Sequence, residues 1–248
     1  MQLPPIVVIS LERAPERRRA IAAQLEQLGL PFEFFDAIDG SKLSSERTNE
    51  VYSPNRTFMR MGRYLHPNEI GCALSHMDVW EHMVRESVPE LLILEDDVVL
   101  ADDLPALLAT RDRWIPSDAR VVYLAHDMAP PVSPKPLDRA LGSDRSLCTF
   151  DNPVMRAAAY LIRTPAAASL LPHGKPLTMP LDDLLGRPEF TGGGIYGIVP
   201  NAVMWNDDHP STIWTDTRPD DFAKQSRAGL GGIVRRFIRR FVKSESLS

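Results

Sequence analysis

The chain has little cysteine, no long apolar run and no excess of positive charge, and each shortage excludes a class of protein. Cys72 and Cys148 are its only cysteines, which excludes a disulfide framework and a CxxC metal pair but leaves one bridge open. So few cysteines make a reducing cytoplasm the default compartment. No apolar run approaches the roughly 18 residues that span a bilayer, and residues 1–5 lack the order of a signal peptide. The net charge of −5 argues against nucleic acid as the main partner.

The first forty residues carry the pattern of a β-α-β unit. Residues 6–11 form an aliphatic run typical of a buried strand, and Pro15 suits the first turn of a following helix. Gly29 is placed to end that helix, and residues 32–35 predict a second strand. A strand, a helix and a strand in so short a segment form the building unit of a parallel sheet.

The rest of the chain continues this alternation. Residues 41–65 are polar and irregular, which predicts loops and a short helix, and the proline-rich residues 128–145 predict a loop. Gly192, Gly193 and Gly194 predict a turn before a strand. The remaining predicted elements are helices at 68–85, 104–110, from 165 and from 182, and strands at 91–94, 120–124, 157–162 and 195–199. The pattern therefore predicts an α/β protein.

Three consecutive acids follow the predicted strand 91–94. Ligands of open α/β sheets bind at the carboxyl ends of the strands, where Glu95, Asp96 and Asp97 would lie. Crowded carboxylates raise one another's pKa values unless a cation holds them, and Mg²⁺ or Mn²⁺ prefers such oxygens. The run therefore indicates an ion that bridges to the diphosphate of a nucleotide substrate. The alternative is a solvated acidic turn that caps a helix near Asp102.

The C-terminal segment combines basic and apolar residues at helical spacing. Residues 227–243 contain six basic residues and no acid. Apolar side chains interleave with them, so a helix here would set an apolar stripe against an arginine face. This pattern favours contact with an anionic membrane surface; the alternative is a terminal helix docked on the domain. We therefore divide the chain into a domain at 1–225 and a basic amphipathic tail at 226–248.

Five motifs, in order, resemble those of glycosyltransferase family 25, whose members build lipooligosaccharide in bacteria and include the collagen galactosyltransferases. Residues 69–76 match E-I-G-C-x-L-S-H closely, with Trp80 at the usual place, and residues 94–97 match L-E-D-D. Residues 7–18, 35–40 and 158–162 are similar to I-N-L-D-R-x-x-D-R-R, F-x-A-x-D-G and G-A-Y-L-I. Ser10, Glu12 and Ala158 depart from these patterns, replacing Asn, Asp and Gly.

The resemblance implies a single Rossmann-like domain of the GT-A type, with a mostly parallel central sheet flanked by helices. It also implies a metal-dependent transfer of a hexose, with galactose from UDP-galactose as the first expectation, to a saccharide or glycolipid acceptor such as lipooligosaccharide. The expected stereochemistry is inversion, and the expected cofactor is Mn²⁺ or Mg²⁺. Together with the tail, this places the protein in the cytoplasm, peripheral on the inner membrane.

The resemblance also suggests roles for individual residues. Asp97 is the first choice as metal ligand, with Glu95 beside it and His209 as a last ligand, although residues 206–209 are also typical of a polar loop. Asp182 is the candidate general base and Asp183 the second candidate; the alternative for Asp182 is an N-cap. The expected nucleotide-sugar contacts are Leu11, Arg13, Arg17, Ser75, His76, Glu95 and Asp96.

Several of these residues have a structural alternative. Arg13 and Arg17 suit a diphosphate or a base, but both also suit a solvated first helical turn. A lone helix histidine such as His76 is more often structural than catalytic. Tyr196 and Trp205 could stack on a sugar, although packing in the core is the more common role for such residues.

Two other function classes fit the same residues. Carboxylates and arginines also serve metal-dependent nucleotidyltransferases, which move the nucleotide rather than the sugar. A non-catalytic relative could keep the fold and bind a partner or a membrane. The intact acidic run argues against that second class, since a binding module has no need for carboxylates that repel one another.

Overall fold

The computed structural model describes residues 3–127, 134–137, 141 and 144–206. The predicted tail, the domain boundary at 225 and His209 lie outside these residues. Among the described helices, none is both long enough and apolar enough to cross a membrane. Cys72 and Cys148 are both free thiols, so the bridge left open by the sequence does not form.

The described chain alternates strands and helices along most of its length. The strands are β1 Ile6–Ser10, β2 Glu33–Asp36, β3 Glu90–Glu95, β4 Val98–Leu100, β5 Val121–Ala125, β6 Pro134–Pro136, β7 Ser146–Phe150, β8 Ala159–Arg163, β9 Ile195–Val199 and β10 Val203–Trp205. The helices are α1 Pro15–Gln27, α2 Ser45–Val51, α3 Pro54–Met61, α4 Pro67–Arg85, α5 Leu104–Trp114, α6 Thr164–Gly174, α7 Leu181–Leu185 and α8 Pro188–Thr191, with a 3-10 helix at Gly40–Lys42.

A single eight-stranded sheet in the order β2-β1-β3-β8-β5-β9-β7-β6 forms the centre of the domain. β1 pairs in parallel with both β2 and β3, and β5 pairs in parallel with β9. β8 and β7 run opposite to the other strands of this sheet. The α/β class and the mostly parallel sheet are therefore confirmed. β4 and β10 form a separate antiparallel pair.

Two apolar clusters, one on each face of the sheet, bury the four aliphatic residues of β3. Leu92 and Leu94 belong to the first cluster, with side chains of α1 and α5. Leu91 and Ile93 belong to the second, with side chains of α4 and α6. Alternate side chains of a strand point to opposite faces, so an unbroken aliphatic run is what a sheet covered by helices on both sides requires.

Residues 41–65 are more helical than the sequence predicts. Ser44 caps α2 by accepting a hydrogen bond from the backbone N–H of Arg47. α3 begins at Pro54 and ends at Gly62, whose φ of 69° is in the left-handed region. These start and stop signals are present in the sequence, but apolar residues are too sparse there to produce a clear helical period.

Close packing fixes the N-terminal half of α4 against the loop after β2. A Cβ atom on Gly71 would lie 2.6 Å from both the carbonyl oxygen of Ile38 and the backbone nitrogen of Gly40. Glycine therefore allows the helix to approach the loop backbone. Ser75, one turn later, accepts a hydrogen bond of 2.8 Å from the Ile38 backbone N–H and donates one of 2.7 Å to the Gly71 carbonyl.

Candidate active site

A cavity of about 510 Å³ opens at the carboxyl ends of the parallel neighbours β1 and β3. This is the edge at which the sequence places the acidic run. Most of the site residues predicted from the sequence meet on its wall: Leu11, Arg13, Arg17, Ser75, His76, Glu95, Asp96, Asp97 and Asp182. Asp183 is not part of the described lining, and His209 lies outside the described residues.

The acidic run is held from α1 and β1. Asp96 accepts a hydrogen bond of 2.5 Å from the Ser10 hydroxyl and one of 3.1 Å from the Arg17 guanidinium. The same Arg17 nitrogen lies 3.3 Å from Asp97 Oδ2. The Arg17 side chain is only 12% exposed, so the alternative of a solvated first helical turn does not describe it. Ser10 was noted in the sequence only as a departure from the family motif.

Asp97 retains an unused, buried oxygen. Its Oδ1 atom has no hydrogen-bond partner among the described residues. Burial, then the nearby Glu95 and Asp96, raise the pKa of Asp97 to about 6, although Arg17 opposes the rise. A buried, unpaired carboxylate oxygen among other carboxylates fits a hard divalent cation, which would relieve both the repulsion and the missing contact. Asp97 and Glu95 are the described residues able to hold such an ion there.

Glu95 faces two side chains of α4. Its Oε1 atom lies 3.6 Å from the Cys72 thiol, which donates to it, and 3.4 Å from His76 Nε2. Burial acts to raise the pKa of Glu95, but His76 and Cys72 outweigh it, so this pKa lies below its ordinary value. The other ring nitrogen of His76 is 2.8 Å from the Tyr160 hydroxyl. His76 therefore has a structural contact on one side and the cavity on the other.

Asp182 lies on the wall of the same cavity as the acidic run. It lies in the first turn of α7, where no side chain caps the helix, so the N-cap alternative does not describe it. Its Oδ1 accepts a hydrogen bond of 3.0 Å from the Ala157 backbone N–H. Burial, followed by Glu95, raises the pKa of Asp182 to about 6 against the opposing backbone hydrogen bonds. A carboxylate with such a pKa is ionised at neutral pH and remains a useful proton acceptor.

The neighbouring Asp183 has a different environment. Its carboxylate forms an ion pair with the Arg187 guanidinium one turn along the chain, at 3.0 Å. Successive residues of a helix point about 100° apart, and here the cavity lining includes Asp182 but not Asp183. The structure therefore does not place the second candidate base at the site.

Arg13 lies at the rim of the cavity. Its Nε atom donates to Asp39 Oδ2 at 2.7 Å, and the side chain is 49% exposed. The hydrogen bond from Arg13 is the main reason that the pKa of Asp39 falls to about 2. Asp39 belongs to the F-x-A-x-D-G motif, but sequence reasoning gave it no role of its own.

Sequence reasoning also missed part of the wall opposite α4. Arg156, Trp205 and Asn206 line the cavity, and the Arg156 guanidinium lies 4.5 Å from the centre of the Trp205 ring. The Asn206 backbone N–H donates to the Asp97 carbonyl at 2.9 Å. Tyr196 is not part of this wall, and its hydroxyl donates to Asp118 at 3.0 Å. No local pattern marks Arg156, whereas the sequence offers Trp205 either for stacking on a sugar or for packing in the core, and Asn206 begins the polar segment 206–209.

Comparisons with known proteins agree on one family. The profile described as "Glycosyltransferase family 25 (LPS biosynthesis protein)" matches residues 3–185. A "Glycosyltransferase 25 family member" of Aedes aegypti is 41% identical over 96 residues, which are 38% of this chain and 16% of that protein.

Two relatives come from Neisseria gonorrhoeae, and both are named lacto-N-neotetraose biosynthesis glycosyltransferases. LgtB is 38% identical over 122 residues, covering 47% of this chain and 42% of its own length. LgtE is 31% identical over 160 residues, covering 62% and 55%. The chain thus spans about half the length of these bacterial relatives and far less of the insect protein.

One solved structure with detectable similarity is a glycosyltransferase involved in glycosylation of the major capsid of PBCV-1. It shares 10% identity and a TM-score of 0.33 over 67% of this chain and 62% of that one. A similarity of this size carries no argument about function. The profile, in contrast, covers most of the chain and the residues of the cavity as far as Asp182. The chain belongs to glycosyltransferase family 25.

Proposed function

We propose that the protein transfers a hexose, with galactose as the first candidate, from a UDP-sugar to a hydroxyl group of a saccharide acceptor. The observation that carries this proposal is the convergence of two kinds of carboxylate on one cavity. Asp97 has a buried oxygen without a partner, and Asp182 has a pKa of about 6. Asp97 suits an ion that binds the diphosphate of the sugar nucleotide, and Asp182 suits the removal of a proton from the acceptor hydroxyl.

The donor side would need a divalent ion. Asp97 and Glu95 would hold Mn²⁺ or Mg²⁺, which supplies Lewis-acid stabilisation to the departing diphosphate when bound. Arg17 holds Asp96 and Asp97 in place from α1. Arg13, half exposed at the rim, is available to a phosphate or to the uracil ring, while Asp39 orients it.

The acceptor side would use Asp182. Its carboxylate takes the proton of the acceptor hydroxyl while that oxygen bonds to the anomeric carbon and the bond to UDP breaks. A single displacement of this kind inverts the anomeric configuration. General base catalysis by a positioned carboxylate contributes about 10²–10⁴-fold in rate. The Ala157 backbone N–H holds Asp182 Oδ1, and Asp182 lines the cavity that the acceptor would enter.

The two alternative functions, nucleotidyl transfer and non-catalytic binding, are less well supported. Membership of a glycosyltransferase family favours sugar transfer over nucleotidyl transfer. A non-catalytic binding protein would not need a second, buried carboxylate with a raised pKa in the same cavity as the acidic run.

The acceptor and the location are also part of the proposal. The printed names of LgtB and LgtE concern lacto-N-neotetraose biosynthesis, which supports a saccharide acceptor of the lipooligosaccharide type. We place the enzyme in the cytoplasm, peripheral on the inner membrane, because the basic amphipathic pattern of residues 226–248 suits an anionic surface.

A donor panel tests the proposal. The purified full chain is incubated with UDP-galactose, UDP-glucose, UDP-N-acetylglucosamine or UDP-N-acetylgalactosamine, with lactose-type acceptors, and with Mn²⁺ or with EDTA. We expect release of UDP from one donor, dependent on metal and stimulated by acceptor. Release of a sugar 1-phosphate, with UMP transferred to the acceptor, would indicate nucleotidyl transfer. No turnover, together with no binding of UDP by calorimetry, would overturn the assignment in favour of a non-catalytic protein.

A further inference from the structure

Three different metal-binding side chains meet on the α4 side of the cavity. From their geometry we infer a second metal site, at which Cys72, His76 and Glu95 bind a borderline divalent ion of the Zn²⁺ or Co²⁺ class. The Cys72 sulfur, a ring nitrogen of His76 and a carboxylate oxygen of Glu95 all lie within 4.8 Å of one another. The site shares Glu95 with the proposed oxygen-only site at Asp97 but adds a sulfur and a nitrogen donor.

The observed spacing matches tetrahedral coordination. Typical Zn–S, Zn–N and Zn–O bonds of about 2.3, 2.0 and 2.1 Å, at tetrahedral angles, separate a nitrogen and an oxygen ligand by about 3.4 Å, and a sulfur and an oxygen by about 3.6 Å. His76 Nε2 lies 3.4 Å from Glu95 Oε1, and Cys72 Sγ lies 3.6 Å from the same oxygen. Cys72 and His76 are one turn apart on α4, and their donor atoms lie within 4.8 Å of each other.

A buried ring nitrogen points into this cluster. The His76 side chain is fully buried, and apart from its 3.4 Å approach to Glu95 Oε1 the Nε2 atom meets no hydrogen-bond partner among the described residues. Its Nδ1 atom is fixed at 2.8 Å from the Tyr160 hydroxyl, which also accepts a hydrogen bond of 3.1 Å from the Trp80 indole. A partner on the second ring nitrogen is the usual way in which a protein orients a histidine ligand and selects its tautomer.

The donor types decide which ion would bind. A thiolate and an imidazole favour Zn²⁺ or Co²⁺ over Mn²⁺ and Mg²⁺, which prefer carboxylate oxygens. The cluster supplies three protein ligands and lines the cavity, so the fourth position faces the space available to substrate or water. Three protein ligands with an open fourth position are the arrangement of accessible zinc sites rather than of closed structural ones.

Glu95 is common to this cluster and to the proposed Mn²⁺ site. Binding of Zn²⁺ would engage the carboxylate that helps Asp97 and would fill part of the cavity, so Zn²⁺ should inhibit turnover. This consequence rests on the proposed function. The binding itself does not, because it follows from the three donors alone.

Cobalt spectroscopy tests the binding without any substrate. The metal-free full chain is titrated with Co²⁺ under reducing conditions, and the thiolate-to-cobalt charge-transfer band and the visible bands of tetrahedral Co²⁺ are recorded. We expect saturation at one Co²⁺ per chain and displacement by one equivalent of Zn²⁺. The band should disappear in Cys72→Ser and persist in Cys148→Ser, the matched control, since Cys148 lies outside the cavity lining.

Absence of the thiolate band in the folded wild-type chain would overturn the inference, as would a band that survives in Cys72→Ser or is lost in Cys148→Ser. A second measurement uses only the wild-type chain, so it does not depend on whether Cys72→Ser folds. One equivalent of Zn²⁺ should slow alkylation of Cys72 at least tenfold by mass spectrometry, and unchanged alkylation would also contradict the site. Inhibition by Zn²⁺, with at least tenfold lower sensitivity in Cys72→Ser, then tests the link to turnover separately.

Discussion

Replacing Asp182 by asparagine should make the protein more stable and nearly inactive. The substitution preserves the shape of the side chain and an oxygen that accepts from the Ala157 backbone N–H. It removes a buried negative charge close to Glu95, which is what raises the pKa of Asp182 from 3.8 to about 6. The charge that suits the residue to proton transfer therefore costs folding free energy.

The size of this cost follows from the two pKa values. A difference of about two between the folded and unfolded pKa values corresponds to about 3 kcal/mol of folding free energy. The folded state binds this proton more tightly than the unfolded chain does, so the stabilising effect of protonation is complete below pH 3.8 and is lost as pH rises through about 6. Asparagine does not titrate, so its advantage is small near pH 4 and reaches its full value above about pH 7.

Thermal unfolding of the metal-free chain measures this difference. At about 2–4 °C per kcal/mol for a chain of this size, Asp182→Asn should raise Tm by up to roughly 10 °C at pH 7.5, and by little at pH 4.5. Asp183→Asn is the matched control on the same helix. It removes the ion pair with Arg187, so its Tm should stay the same or fall.

Turnover gives the second half of the prediction. Asp182→Asn should lower kcat by at least about 10²-fold while binding of UDP is kept, and wild-type kcat should fall tenfold per pH unit below about pH 6. Asp183→Asn should retain activity. An unchanged Tm for Asp182→Asn at pH 7.5 would refute the claim that its charge is buried at a cost. Retention of more than a tenth of kcat would refute its role as base.

Three further predictions concern the metal, the packing of α4 and the tail. Asp97→Asn should abolish metal-dependent turnover and weaken Mn²⁺ binding at least tenfold in calorimetry while the chain stays folded; retained activity would reject Asp97 as a ligand. Gly71→Ala should lower the free energy of unfolding by more than about 1 kcal/mol in urea denaturation, because its Cβ would lie 2.6 Å from the Ile38 carbonyl oxygen and the Gly40 nitrogen. Deletion of all residues after Gly229 should release the protein from anionic vesicles in a flotation assay, and continued flotation would exclude the tail as the membrane contact.

The sequence alone determined the class of fold and the edge of the sheet that carries the site. An unbroken aliphatic run such as residues 91–94 predicts a strand that is covered on both faces. The acids that follow the run must then lie at the carboxyl end of that strand. The family motifs added residues of β1, α1 and α4 and the loops beside them, and nine of the site residues predicted from the sequence, Asp182 and the acidic run included, meet at the cavity. Such local patterns can be recognised in the sequence because each depends only on neighbouring residues along the chain.

Only the tertiary structure decided which side chains meet. The sequence ranks Asp182 above its neighbour Asp183 only through the family resemblance, whereas the structure places Asp182 on the cavity wall and pairs Asp183 with Arg187. Only the structure likewise shows the hydrogen bond from the Ser10 hydroxyl to Asp96, which lies 86 positions further along the chain. Burial, distance and orientation between remote segments set these contacts and the pKa values that follow from them. They are properties of the packed molecule, and a linear pattern does not contain them.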